Sequence, residues 1–121
     1  MAKTVLIIDD DELFLMTMRN VLEDAGYRVL STADGPQGVQ IYMEQKPDLV
    51  LLDLGLPSMS GIDVLRQVKN SDARSKVVIV TGYAADESLK EVSRLGAVDF
   101  IEKSTDTETL LRKISYAMEQ H

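Results

Sequence analysis

Two apolar runs in this chain end abruptly in acid. Val5–Ile8 leads straight into Asp9, Asp10, Asp11 and Glu12, and Leu49–Leu52 leads into Asp53. Carboxylates gathered at the ends of buried strands repel one another and lose hydration, so such a cluster calls for a counter-charge. Three carboxylates meeting at one place suit a hard cation with oxygen ligands. Magnesium fits best, because it takes one or two carboxylates, keeps several waters and accepts a phosphate oxygen. Asp9 and Asp10 fall on opposite faces of an extended segment and therefore cannot share one role. Asp10 is expected as a direct ligand, with Asp9 acting directly or through water. Asp11 and Glu12 are expected to begin a helix, whose N-terminus favours negative charge.

Two other strand ends add to the cluster. Val77–Val80 runs into Thr81-Gly82, bringing a hydroxyl, and Phe100-Ile101-Glu102 runs into Lys103, bringing an ammonium. Taken alone, Thr81 is a residue of high strand propensity before a turn glycine, and Lys103 is surface. Together with the acids they describe a magnesium-assisted phosphoryl site. Asp53 is the candidate nucleophile, since a carboxylate can carry a phosphoryl group as an acyl phosphate.

These residues must be positioned by a regular scaffold. Short β-branched runs at Thr4–Ile8, Arg28–Thr32, Leu49–Leu52, Val77–Val80 and Val98–Ile101 alternate with stretches of helical spacing, such as Phe14, Met18, Val21, Leu22 and Ala25. Gly26, Gly96, Lys46-Pro47 and Asn70 punctuate helix ends, and Asp34 and Asp106 are N-cap candidates. The runs at 5–8, 49–52 and 77–80 are apolar without alternation, as strands covered on both faces should be, whereas Arg28, Ser31 and Thr32 mark an edge. The expectation is one α/β domain over residues 1–121: a doubly wound five-stranded parallel sheet with five helices and strand order 2-1-3-4-5. That order makes strands one and three neighbours at the switch point and merges the two acidic endings into one pocket.

Composition narrows the function. The chain has 121 residues, a formal charge of −7 and no cysteine, which removes disulfides and thiolate chemistry. Net acidity without a Lys/Arg cluster argues against a nucleic-acid partner. No run is long enough to cross a membrane and no signal peptide precedes the first strand, so a cytoplasmic location and no membrane association are expected.

From about Lys3 to Glu119 the chain resembles a response-regulator receiver domain of two-component signalling. Asp10, Asp53, Thr81 and Lys103 are separated by 43, 28 and 22 residues and stand in Val5-Leu-Ile-Ile-Asp-Asp, Leu52-Asp-Leu-Gly-Leu-Pro-Ser-Met-Ser-Gly61, Val80-Thr-Gly and Phe100-Ile-Glu-Lys contexts. The resemblance implies that Asp53 is phosphorylated by a histidine kinase or histidine phosphotransfer protein. It implies that Asp9, Asp10, Asp53 and the Gly55 carbonyl hold Mg2+, that Thr81 hydrogen-bonds the phosphoryl group and that Lys103 pairs with it. Phe100 matches the switch aromatic, Pro57 and Gly61 shape the loop into helix three, and helix four, strand five and helix five would signal to a downstream protein. The resemblance is to a switch rather than an enzyme, a monomer for which dimerisation on phosphorylation stays open.

The chain departs from the family pattern at Ser104, where proline usually follows the lysine. Because a cis bond before a non-proline residue costs about 2.5–4 kcal/mol, the Lys103–Ser104 bond is expected to be trans. In such proteins the side chains at the positions of Gly55 and Tyr83 help set phosphoryl lifetime, so the resemblance implies one side open to water at Gly55 and a side that Tyr83 could shield. The competing functions are a phosphorylation-independent adaptor on the same fold and, more remotely, a magnesium-dependent phosphohydrolase or a flavodoxin-like carrier. The phosphohydrolase would want a second carboxylate at position 55, and a flavin phosphate would meet repulsion from Asp9, Asp10 and Asp53.

Overall fold

A computed structural model describes residues 2–82 and 86–119. Five strands, β1 (Thr4–Ile8), β2 (Arg28–Thr32), β3 (Leu49–Leu52), β4 (Val77–Thr81) and β5 (Asp99–Glu102), alternate with five helices. These are α1 (Glu12–Asp24), α2 (Gly35–Gln45), α3 (Gly61–Ser71), α4 (Asp86–Arg94) and α5 (Thr107–Glu119). The strands form one parallel sheet in the order β2-β1-β3-β4-β5, the order expected because it is common among five-stranded parallel sheets.

The two-residue period of a strand sorts the core into two layers. Val5, Ile7, Leu49, Leu51, Val78 and Val80 meet Met18 and Leu22 of α1 and Leu110 and Ile114 of α5 on one side. Leu6, Ile8, Val50, Leu52, Val77 and Ile79 meet Val39 and Tyr42 of α2, Val64, Leu65 and Val68 of α3, and Val92 of α4 on the other. Strands β1, β3 and β4 thus have no solvent face, which explains their unbroken apolar sequence. The polar strand β2 lies at an edge, where Arg19 of α1 donates to Ser31 Oγ at 2.8 Å and to the Val29 carbonyl at 3.4 Å.

Local chemistry sets the helix limits. Asp11, Asp34 and Ser60 cap α1, α2 and α3, accepting from the backbone N–H groups of Phe14, Gln37 and Asp63, and Asp106 accepts from Thr109 ahead of α5. Gly26 and Gly96, both at φ 96°, supply the left-handed residue after α1 and α4, and Lys46 takes that role after α2 at φ 48°. Four boundaries differ from the sequence reading, one of them the end of β5, which reaches Glu102 rather than Ile101. β5 starts at Asp99 rather than Val98, because the ladder begins at Val78↔Asp99; β4 extends to Thr81, which pairs with Glu102; and α3 continues to Ser71 beyond Asn70.

The loop after β3 is closed by a backbone contact. The Gly61 N–H donates to the Leu54 carbonyl at 2.9 Å, and a Cβ on Gly61 would collide with the Asp53 carbonyl oxygen and Leu54 Cα. By contrast, a Cβ on Gly55 would meet nothing within 4 Å. Gly61→Ala should therefore lower stability by about 1–3 kcal/mol, and Gly55→Ala should stay within about 0.5 kcal/mol of wild type. Urea unfolding of the two variants checks this; equal midpoints would contradict the close approach at Gly61.

Candidate functional site

The sheet's ladder continues one residue past the strands and thereby fixes the site. Asp9 N–H donates to the Thr32 carbonyl at 3.0 Å, Asp53 N–H to the Ile8 carbonyl at 3.0 Å, and Lys103 N–H to the Thr81 carbonyl at 2.9 Å. Asp9, Asp53 and Lys103 are therefore held by backbone bonds at the C-terminal edge of the sheet before any side-chain contact is counted. Carboxylate oxygens of Asp9, Asp10 and Asp53 come within 4.8 Å of one another. Asp9 and Asp53 are buried at 1% and 7% exposure, while Asp10 is open to water, as opposite faces of an extended segment require.

Lys103 supplies the missing cation. Its Nζ lies 2.9 Å from Asp9 Oδ2, 3.0 Å from Asp9 Oδ1, 3.5 Å from Asp53 Oδ2 and 3.7 Å from Asp11 Oδ2. Asp9 Oδ1 also accepts from the Asp11 N–H at 2.9 Å, and Asp53 Oδ1 accepts from the Gly55 N–H at 3.3 Å. Burial pushes the Asp9 carboxyl up to about 6, against the opposing pull of the Asp11 N–H and Lys103, with the Asp53 charge adding to the rise. Lys103 is raised above the usual lysine range: burial opposes its charge, but the hydrogen bond and charge of Asp9 and the charges of Asp53 and Asp11 outweigh it.

The other expected residues lie around this cluster. Thr81 ends β4 with 4% exposure, one strand from Asp53, and its carbonyl carries the Lys103 backbone. Gly55 is exposed, two residues beyond Asp53. Phe100 is not in the pocket. It is half-buried on β5 opposite Ile79 and packs with the α2/α3/α4 layer. There it borders a cleft of about 280 Å3 lined by Leu89, Val92, Ser93, Ala97, Val98, Asp99 and itself. No cis peptide bond occurs among the described residues, so Lys103–Ser104 is trans. Tyr83 lies outside the described residues.

Sequence reasoning missed three participants. Asp11 was assigned only to helix initiation, yet its carboxylate also approaches Lys103. The Phe14 ring lies beneath the Lys103 ammonium, 4.8 Å from its centroid, although helical periodicity marked Phe14 only as core. Ser58 Oγ donates to Asp34 Oδ1 at 2.8 Å and ties the loop beyond Asp53 to the cap of α2. No spacing signal announces these contacts, because each joins different elements.

The raised Asp9 carboxyl has a definite sign. The folded state binds that proton more tightly than the unfolded chain, so in metal-free protein stability falls as pH rises from about 4 to about 6 and stays lower above. The rise from 3.8 to about 6 corresponds to roughly 3 kcal/mol. Lys103, raised in the folded state, loses its contribution only above the ordinary lysine range. In buffer with a chelator, Asp9→Asn should be about 1–3 kcal/mol more stable than wild type at pH 8, and the gain should shrink toward pH 4.5. Chemical unfolding across that range tests this, and a gain independent of pH would assign it to something other than the buried charge.

Comparison with known proteins agrees with this geometry. The chemotaxis protein CheY of Thermotoga maritima is 35% identical over 104 residues, covering 85% of this chain and 87% of that protein. Among solved structures, a CheY-like response regulator receiver domain protein from Methanospirillum hungatei superposes with a TM-score of 0.95 at 31% identity, covering 98% and 95% of the two chains. The CheX–CheY–BeF3–Mg2+ complex from Borrelia burgdorferi superposes with a TM-score of 0.91 at 26% identity, over 98% and 90%. The family described as the response regulator receiver domain matches residues 5–115, which takes in Asp9, Asp53, Thr81 and Lys103 alike. A match over that much of the chain, with the sheet order and the acidic pocket both in place, makes this protein a member of the response-regulator receiver domain family.

Proposed function

We propose that the chain is a phosphorylation-activated signalling switch that takes a phosphoryl group onto Asp53 from a histidine kinase or a histidine phosphotransfer protein. The observation that carries this reading is the convergence of Asp9, Asp10 and Asp53 with Lys103 spanning the two buried carboxylates. Residues 1–121 are read as one receiver domain, working in the cytoplasm. No helix among the described residues is long and apolar enough to cross a membrane.

The donor set fits magnesium: three carboxylates, all oxygen, with Asp10 on the water-facing side where a hydrated ion can enter. Asp9, Asp10, Asp53 and the Gly55 carbonyl would hold it. When bound, Mg2+ supplies positive charge to the transferring phosphoryl oxygens. The Borrelia relative was solved in a complex with BeF3 and Mg2+, which supports a divalent cation as a companion of this fold.

In the transfer, an Asp53 carboxylate oxygen attacks phosphorus as the P–N bond of the donor's phosphohistidine breaks. The bonding pair returns to the imidazole nitrogen, which takes up a proton. The Gly55 N–H steadies one Asp53 oxygen, and Lys103 stands 3.5 Å from the other. The phosphoryl group brings a charge of about −1.5 to −2. Lys103 then turns from Asp9 toward the new anion, and the Thr81 hydroxyl donates to it. Hydrolysis by water at phosphorus resets Asp53, and the open space beside Gly55 admits that water. The chain is thus a switch that cycles, without turnover of a separate substrate.

Lys103 and Thr81 are joined through the backbone bond at the β4/β5 edge, so a change at the pocket is transmitted to β5. Phe100, half-buried beside the α4/β5 cleft, would turn inward as Thr81 moves and reshape the α4/β5/α5 face read by a downstream protein. Driving such a switch from 1:99 to 99:1 takes about 5.5 kcal/mol, more than one new charged hydrogen bond provides, so partner binding supplies part of it.

Two outcomes test this reading. Incubated with acetyl phosphate and Mg2+, wild type should gain one phosphoryl group on the Asp53 peptide by mass spectrometry and Asp53→Asn should gain none; equal labelling of both would move the acceptor away from Asp53, and an unlabelled wild type would leave the phosphorylation-independent adaptor. Calorimetric Mg2+ affinity should be level above about pH 7 and weaken below about pH 6, by up to roughly tenfold per pH unit, as a proton competes for Asp9. A flat profile would place the ion away from Asp9.

A further inference from the structure

Lys103 has an unusual neighbour. Its side chain is 16% exposed, so the ammonium has given up most of its water. In front of it stand the carboxylates of Asp9 and Asp53, with Asp11 further off at 3.7 Å. One further contact is uncharged: Nζ sits over the ring of Phe14, 4.8 Å from the centroid, inside the range where an aromatic face attracts a cation. A four-carbon side chain has many rotamers, and something must select among them.

The contacts close on themselves. Asp9 accepts from the Asp11 N–H at 2.9 Å, Asp11 accepts from the Phe14 N–H at 3.1 Å, and Phe14 lies against the lysine that pairs with Asp9. The cap that starts α1 therefore also sets the ring under the ammonium. On the other side, the turn carrying Lys103 is held by Lys103 N–H to Thr81 O at 2.9 Å and Thr105 N–H to Glu102 O at 3.0 Å, with Ser104 adding no ring to stiffen it.

We infer that Phe14 is a positioning residue for Lys103: its ring holds the ammonium by a cation–π contact while the ammonium turns from Asp9 to a phosphoryl group on Asp53. This rests on the reading of Asp53 as acceptor. An aromatic face suits the task better than a fourth carboxylate would. It offsets lost hydration without competing for the lysine's proton donors or repelling the incoming phosphoryl charge. The ring belongs to a capped helix and stays in place whichever anion Lys103 faces.

The test uses the full chain as Phe14→Leu and Phe14→Tyr. Leu keeps an apolar side chain without a π face. Tyr keeps the ring, and Phe14 lines a cleft of about 260 Å3 beside Thr17 and Thr105. In unphosphorylated, metal-free protein, the Lys103 ε-methylene protons should resonate upfield in wild type and Phe14→Tyr, and return to ordinary lysine positions in Phe14→Leu. With acetyl phosphate and Mg2+, Phe14→Leu should lower the saturating phosphorylation rate by about three- to tenfold, and Phe14→Tyr should restore most of it. Unshifted ε-methylene protons in wild type, or equal rates for the Leu and Tyr variants, would overturn the inference. Absence of label on wild type would instead overturn the acceptor reading, and is told apart because the ring-current signature needs no phosphoryl donor.

Discussion

Two buried carboxylates at the ends of adjacent strands would repel each other and strand their charge in a poor solvent, and the ammonium of Lys103 makes the arrangement tenable. Its Nζ lies 2.9 Å from Asp9 and 3.5 Å from Asp53. Losing that ammonium would leave both buried carboxylates uncompensated, a change that in buried ion pairs commonly costs about 3–5 kcal/mol, whereas without Asp9 the lysine would still face Asp53 and Asp11. Here that strain is already visible: Asp9 stays reluctant to ionise even with the lysine present. Two buried carboxylates thus share one ammonium, and any further charge brought to the pocket would change which of these groups face each other.

The rest of the fold keeps that pocket in place. Strands β1, β3 and β4 are buried on both faces by two separate apolar layers. Their register leaves Asp9, Asp53 and Thr81 at one edge, since Ile8 pairs with Leu52 and Leu52 with Ile79. Around this rigid frame the loops differ in freedom. The chain beyond Asp53 is pinned at Gly61 by backbone packing and at Ser58 by the cap of α2, yet opens to solvent at Gly55. A site that must hold a reactive carboxylate and also admit a donor and water needs this combination of fixed and open sides.

Few connections join the pocket to β5 and the α4 cleft. Lys103 and Thr81 share a backbone hydrogen bond, and Phe100 lies three residues before Lys103 on the strand facing the α4 cleft. A rearrangement of charge in the pocket therefore has a short covalent and hydrogen-bonded route to the surface of α4, β5 and α5. The trans bond to Ser104 leaves this route intact, because the turn after β5 is held by the bonds of Lys103 and Thr105 instead.

Much of this was legible without coordinates. Unbroken apolar runs at 5–8, 49–52 and 77–80 imply strands covered twice, and alternation with helical spacing implies a parallel sheet; both follow from local periodicity. The acids of β1 and β3, the threonine of β4 and the lysine of β5 could be placed because each directly follows its strand. The strand boundaries at Asp99, Glu102 and Thr81 slipped by a residue, since pairing across the ladder decides them and local sequence does not. Phe14 beneath Lys103, the second duty of Asp11 and the Ser58–Asp34 tie were decided only by tertiary structure. Sequence by itself determined which residues reach the sheet's edge, because that depends on period and strand length. Which side chains then touch across α1, β5 and the loops depends on helix rotation and packing, and only the folded chain supplies those.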